Sequence, residues 1–287
     1  MSSKFRQTLF VMMLLLFVAI PVAAKDGESK FVTLNGAKIH YQSYGQGSNA
    51  FVLVHGWSSN LEAWGHQIPE LAKRGRVIAL DLPGHGKSDK PELPYTMDHF
   101  AAAIDAVMKD AKVERGIILG HSMGTPVARQ FYRKYPKKTL AIVIVDGALR
   151  PFGDKAMRDQ YLNAFRSPGY KEAAKPMFDQ MAGLLPTDER ERIWASFTNT
   201  PQHVLVSAME KMNDDALYTS DKINVPVLAI LAKSPFWPAD TEQYLKGLAP
   251  DLELQWMEGV DHFLHLEKSK EFNDAVIAFV DKKKLLK

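Results

Sequence analysis

The sequence predicts an α/β fold: an eight-stranded, mostly parallel sheet with helices on both faces and a helical insertion. Three observations carry that expectation. Short apolar runs alternate with longer helix-compatible segments, the pattern of a sheet with crossover helices. Two early apolar runs flank Asn35-Gly36, a pair that favours positive φ angles and so a hairpin. Between Gly147 and about Ile223 the alternation stops, and only helix-compatible stretches punctuated by proline remain.

The strand candidates are, in order, Phe31 to Leu34, Ile39 to Tyr44, Phe51 to Val54, Arg76 to Leu80, Gly116 to Leu119, Leu140 to Val145, Val227 to Leu231 and Glu253 to Met257. Helices are expected at Leu61 to Lys73, Met97 to Ala111, Thr125 to Tyr135, Thr241 to Leu248 and Ser269 to Val280. The break in alternation reads as helices interrupted at Pro176, Pro186 and Pro201, so residues 147–223 form an insertion in a core made of 25–146 and 224–287. Ligands of open α/β sheets bind outside the carboxyl ends of the strands, where such an insertion would act as a lid. Phe152, Tyr161, Phe165, Met177, Phe178, Met181, Trp194 and Phe197 either line a pocket there or pack the lid onto the body.

The chain has 287 residues, 46% of them hydrophobic, enough for one large core with an inserted lobe. Its first 24 residues read as a secretory leader. Lys4 and Arg6 form a basic start, Leu9 to Ile20 an apolar run, and Val22-Ala23-Ala24 a small-residue end. Cleavage near Ala24 would leave a mature chain starting at Lys25 in the periplasm or outside the cell. The competing reading is an uncleaved anchor. Removing the leader takes away two basic residues and no acid, so the formal charge of +3 falls close to balance. That argues against a nucleic-acid partner; the partner expected is a small-molecule substrate. No later apolar run is long enough for a membrane span. With no cysteine, thiolate nucleophiles and cysteine metal sites are excluded, and no residue is assigned to a metal.

The chemistry concentrates in "GIILGHSMGTPVARQF", residues 116–131. A strand runs into Gly-His-Ser-Met-Gly and a helix follows at once, the setting of a nucleophile elbow. Gly120 and Gly124 leave room for a sharp turn, and Ser122 stands at a helix N-terminus that favours developing negative charge. A serine hydroxyl needs a base beside it. Of nine histidines, His262 sits where one is wanted, in the loop after the last strand candidate. His265, three residues on, reads as a packed or surface side chain. The backbone N–H of Met123 and that of Trp57, after the strand ending in His55-Gly56, are the candidate oxyanion donors.

Together "HGWSSN", "VIALDLPGHGKSDKP", "GHSMG", "VDGALRP" and "GVDHFLHLEKSKEF" resemble the α/β-hydrolase superfamily, in its lid-bearing branch. The resemblance covers nearly the whole mature chain. It implies an eight-stranded sheet, a Ser–acid–His triad and no cofactor. Asp81, Gly84 and Gly86 match a structural loop of that family. The family's acid usually follows the seventh strand in a stretch like G-x-x-D-x-x-x-P. Here "ILAKSPFWPADTEQY" puts Ser234 or Pro235 in its place. Two carboxylates remain: Asp146, at the end of the sixth strand, and Asp240, which also suits a helix N-cap. Asp146 is the first choice.

These features point to a secreted serine hydrolase, most simply of carboxylic esters of small, partly apolar substrates. Ser122 counts against haloalkane dehalogenase and epoxide hydrolase, which the resemblance would place nearby but which use an aspartate there. Hydrolysis of C–C, lactone or amide bonds by the same serine is one alternative. A receptor or binding protein on a hydrolase scaffold is another, and the missing acid motif favours it.

Overall fold

Asn35 and Gly36, at φ 50° and 87°, have the two positive angles a tight hairpin turn requires. They join β1 (Glu28–Leu34) to β2 (Ala37–Tyr44), which pair antiparallel. The computed structural model describes residues 27–151 and 153–286. The expected leader and Phe152 lie outside the described residues.

β2 also pairs antiparallel with β4 (Arg76–Leu80). From there β3 (Asn49–Val54), β5 (Arg115–His121), β6 (Thr139–Val145), β7 (Val227–Ala232) and β8 (Leu252–Met257) continue the sheet in parallel. The order is β1-β2-β4-β3-β5-β6-β7-β8, so β5 lies between β3 and β6. This neighbourhood sets the site: three consecutive strands deliver three loops to one edge.

The parallel strands are buried on both faces, hence their unbroken apolar runs. Successive side chains serve opposite layers. Val52 and Val54 pack with Phe100, Ile104, Val127 and Phe131 of α2 (Met97–Asp110) and α3 (Gly124–Lys134). Phe51 and Leu53 pack with Leu71 of α1 (Ile68–Ala72) and with Phe272 and Val276 of α10 (Ser269–Lys283). The expected helix from Leu61 to Lys73 is two pieces: a 3₁₀ turn, Leu61–Trp64, and then α1. Gly65 separates them, and the Leu61 amide is held by the Asp81 carboxylate (2.8 Å).

Between β6 and β7 run α4 (Lys155–Arg166), α5 (Tyr170–Met181), α6 (Thr187–Asn199) and α7 (Gln202–Met212). Pro186 and Pro201 stand just ahead of α6 and α7, where a missing N–H costs nothing. Pro176 does not interrupt as expected: it lies inside α5. The helix bridges it because Ala174 and Phe178, on either side, are buried in the inserted layer. α8 (Thr241–Leu248) and α9 (Leu264–Glu267) complete the α-helices among the described residues.

Candidate active site

Ser122 follows β5 directly and has φ 53°, a left-handed angle costly for a side chain with a Cβ. Such strain, roughly 1–3 kcal/mol, persists only where the surroundings over-determine it. They do here. Ser122 N–H donates to the Val145 carbonyl (3.0 Å), and the Ser122 carbonyl accepts from Thr125 N–H (2.9 Å). Thr125 Oγ1 donates to the Gly120 carbonyl (2.9 Å). The flanking glycines are required by contact. A Cβ on Gly120 would lie 2.2 Å from the Gly124 carbonyl oxygen, and one on Gly124 would lie 2.4 Å from that of Val54. The Met123 N–H opens α3, among the amides a helix leaves without internal partners.

Beside the elbow, the chain leaving β3 turns tightly. A Cβ on Gly56 would stand 3.1 Å from the Ser122 Cβ, so the turn touches the serine. The Gly56 carbonyl is held twice, by Ser59 N–H (3.3 Å) and by the His55 imidazole (Nδ1, 2.8 Å). Leu82 N–H donates to His55 Nε2 (3.0 Å), so Nδ1 carries the proton. Burial drives the His55 pKa down and keeps the ring neutral. Gly56 C=O and Trp57 N–H belong to one planar peptide and point opposite ways. Fixing that carbonyl therefore aims the Trp57 N–H.

On the other side, Asp146 follows β6 with φ 43°. Its side chain is only 8% exposed and both oxygens are occupied. Oδ2 lies 2.7 Å from His262 Nδ1, and Oδ1 accepts from Ala232 N–H at 2.9 Å. A carboxylate on Nδ1 holds the proton there and leaves the Nε2 lone pair as the basic position. The His262 backbone is fixed as well. Its carbonyl accepts from His121 Nε2 (2.9 Å), and its N–H donates to the Met181 carbonyl of α5 (3.3 Å). The rings of His121 and His262 are 4.8 Å apart, which brings the His262 loop against the residue preceding Ser122. Among the described residues, no group of three or more His, Asp or Glu side chains is arranged to hold a metal ion.

A family model for the alpha/beta hydrolase fold matches residues 49–269. The chain belongs to the α/β hydrolase family. It is 30% identical over 159 residues to the dihydrolipoyllysine-residue acetyltransferase component of the acetoin cleaving system of Cupriavidus necator, covering 54% of this chain and 42% of that one. The first curated relatives are matched over only 34–65% of their own length. A solved structure described as an N-acyl homoserine lactone degrading enzyme is 27% identical, with a TM-score of 0.77 over 88% of this chain and 100% of that one. An esterase from Exiguobacterium antarcticum superposes with a TM-score of 0.80 at 20% identity, over the same shares, and so speaks for the fold. Esterases and epoxide hydrolases are among the proteins it resembles.

The other carboxylate candidate, Asp240, lies apart from His262. Its side chain is 59% exposed and bridges both oxygens to the Arg150 guanidinium (2.7 and 3.0 Å). It stands at the N-cap of α8 without a side-chain cap bond, so the expected capping role is not made. His265 is fully buried between Trp64 and His121, ring centroids 4.9 and 4.5 Å away. Burial pushes its pKa down to about 3. Asp81 accepts from Leu61 N–H, Lys87 N–H and His40 Nδ1, tying its loop to the segment after the Trp57 turn. Of the insertion's aromatics, Phe165 and Phe197 pack edge-on against Trp57, at 4.8 and 5.6 Å. Phe178 packs against Trp194 at 5.0 Å.

Sequence reasoning missed two contributors. The Ala232 amide has no side-chain signature, and nothing in "GHSMG" says that His121 reaches the carbonyl of a residue far along the chain.

Proposed function

We propose that this chain is a serine hydrolase that cleaves carboxylic esters of small, partly apolar acyl or alcohol groups through an acyl-enzyme. The observation that carries the reading is the 2.7 Å contact between His262 Nδ1 and the buried, doubly bonded Asp146. It fixes the imidazole tautomer, while Ser122 stands on a strained elbow one residue after His121, whose ring lies 4.8 Å from that of His262. In the first half-reaction Ser122 Oγ attacks the ester carbonyl while its proton passes to His262 Nε2. Asp146 stabilises the imidazolium by accepting from Nδ1–H. The oxyanion is received by the Trp57 and Met123 N–H groups. His262 then protonates the departing alkoxide, and water repeats the sequence in reverse, releasing the acid and regenerating Ser122. Trp57, Phe165 and Phe197 offer an aromatic wall suited to apolar groups, with α4 to α7 as a lid.

Lactone hydrolysis is a second reading, because a relative covering 88% of the chain is described as degrading N-acyl homoserine lactones. The acyl step is the same with the leaving group tethered.

A fluorophosphonate should label Ser122 rapidly, read as a mass shift on its peptide, and p-nitrophenyl esters of rising chain length should rank substrates against N-acyl homoserine lactones. Labelling elsewhere, or an unlabelled protein that still turns over esters, would sink the assignment. Unreactive Ser122 with tight binding of such esters would favour a receptor. Export is part of the proposal, on the leader pattern of residues 1–24. The intact mass of protein from the periplasm or medium should correspond to a start at Lys25, and a retained leader in washed membranes would favour an anchor.

A further inference from the structure

Helix α6 runs along the turn that aims the Trp57 N–H and grips it with one side chain. Ser196 Oγ donates to the Ser58 carbonyl (3.1 Å) and accepts from Asn60 Nδ2 (3.3 Å). The first of those contacts is to Ser58 itself, at φ 59°, a left-handed angle on a residue with a Cβ. Such angles last only where neighbours hold them. This one folds the chain back so that Ser59 N–H reaches the Gly56 carbonyl, which shares its peptide plane with the Trp57 N–H. A line of contacts therefore leads from α6 to the oxyanion donor. A second tie runs nearby, from the Trp57 indole N–H to the Leu205 carbonyl of α7 (2.9 Å).

We propose that Ser196 is a positioning residue for acyl transfer: it holds the oxyanion turn in its strained shape, so the oxyanion hole is complete only while α6 is docked. The inference rests on the oxyanion role given above to Trp57. It makes the inserted helices part of the catalytic geometry as well as a cover. The donor acts on charge that exists only after attack, so its misdirection lowers kcat and leaves KM nearly unchanged.

The test is a double-mutant cycle between Ser196→Ala and Ser58→Gly, with kcat, KM and melting temperature measured on a p-nitrophenyl ester. Removing an oxyanion donor outright costs roughly 10²–10³ in kcat, and a misaimed donor costs part of that. Ser196→Ala alone should lower kcat about tenfold with KM within about twofold, and Ser196→Thr, which keeps the hydroxyl, should recover most of the loss. Glycine adopts a left-handed angle without help, so in the Ser58→Gly background Ser196→Ala should cost less than about twofold. If Ser58→Gly fails to fold, Ser58→Asn serves the same comparison, since asparagine tolerates that region. Equal kcat losses in both backgrounds, or no loss in the first, would overturn the proposal, whereas a merely structural serine would lower the melting temperature without this coupling. Failure of the ester reading itself appears earlier and overturns the proposal with it: wild-type Ser122 then neither takes the phosphonate nor turns over esters.

Discussion

Asp146 and Asp240 sit beyond the ends of neighbouring strands, β6 and β7, and differ in almost every respect that matters to an imidazole. Asp146 is buried, has a left-handed backbone and commits one oxygen to His262 and the other to a backbone amide. Asp240 stands in solvent with its carboxylate held by Arg150, which also lies over the Tyr244 ring at 4.8 Å. The loop after β7, where the family resemblance leads one to expect the acid, brings no carboxylate to His262. β7 instead contributes, at its last residue, the Ala232 N–H that orients the Asp146 carboxylate. On the proposed mechanism the acid comes from a different strand, because the requirement is local. A carboxylate must be desolvated, hydrogen-bonded on its far oxygen and aimed at Nδ1.

The largest effect should come from the residue both carboxylates were candidates to serve. His262→Ala should cut kcat on the best ester by about 10⁴-fold or more, as for a triad base. His265→Ala makes the control. It empties a fully buried site between Trp64 and Phe272 and should cost about 2 kcal/mol or more of stability, with kcat in the folded fraction reduced far less. Denaturant melts and steady-state kinetics on both variants separate the two losses. Near-normal turnover in His262→Ala would end the proposed mechanism.

Asp146→Asn comes next, and it breaks the comparison directly. The amide has the same shape, but it removes the charge and can present N–H to Nδ1, favouring the wrong tautomer. A loss of roughly 10³ to 10⁴ in kcat is expected, with the melting temperature little changed. A loss of only a few-fold would mean that Ser122 and His262 work as a dyad.

Much of this was legible in advance, for physical reasons that differ by residue. The strand pattern survives in the sequence because strands buried on both faces must be apolar throughout. The elbow survives because Gly120 and Gly124 face backbone atoms where no Cβ fits. Asp146 could be put ahead of Asp240 from chain order, but the contacts that separate the two could not be read. What separates them is an amide at Ala232 and a guanidinium at Arg150, each brought up by tertiary structure. The Ser58 turn was opaque for the same reason. "HGWSSN" does not show a left-handed serine, and its partner Ser196 comes from another helix altogether.

A third carboxyl sharpens the contrast. Glu267, on α9 near the base loop, accepts from Asp261 N–H with one oxygen (2.6 Å), while the other is buried with no hydrogen-bond partner. Asp146 has both oxygens satisfied; Glu267 does not. Burial raises its pKa from 4.5 to about 7. The sign follows: between those two values the folded protein keeps a proton that the unfolded chain releases, so stability falls as pH rises through that window. Allowing for its partial exposure, the group should account for about 1–2 kcal/mol lost between pH 5 and 8. Glu267→Gln stays neutral and should flatten that part of the curve, measured by urea melts across pH. An unchanged slope would mean the carboxyl is solvated well enough to ionise freely.

The smallest effect belongs to Asp240→Asn. The pair with Arg150 is bidentate, but the carboxylate is more than half exposed, and such pairs contribute about 0–1 kcal/mol. A cap loss of the usual size is not expected either, because the side chain makes no bond to the first turn of α8. Asparagine keeps an oxygen for the guanidinium, and Arg150 retains the Tyr244 ring and a 3.2 Å contact to Thr241 Oγ1. The variant should therefore unfold within about 1 kcal/mol of the parent, with most of that small difference removed by added salt, because screening acts on exposed charges. Its kcat should stay within about twofold, since nothing in the Asp240 environment reaches His262. A hundredfold loss in kcat would reverse the assignment, because a carboxylate bound to Arg150 at rest would then have to leave that partner and swing to the imidazole during turnover.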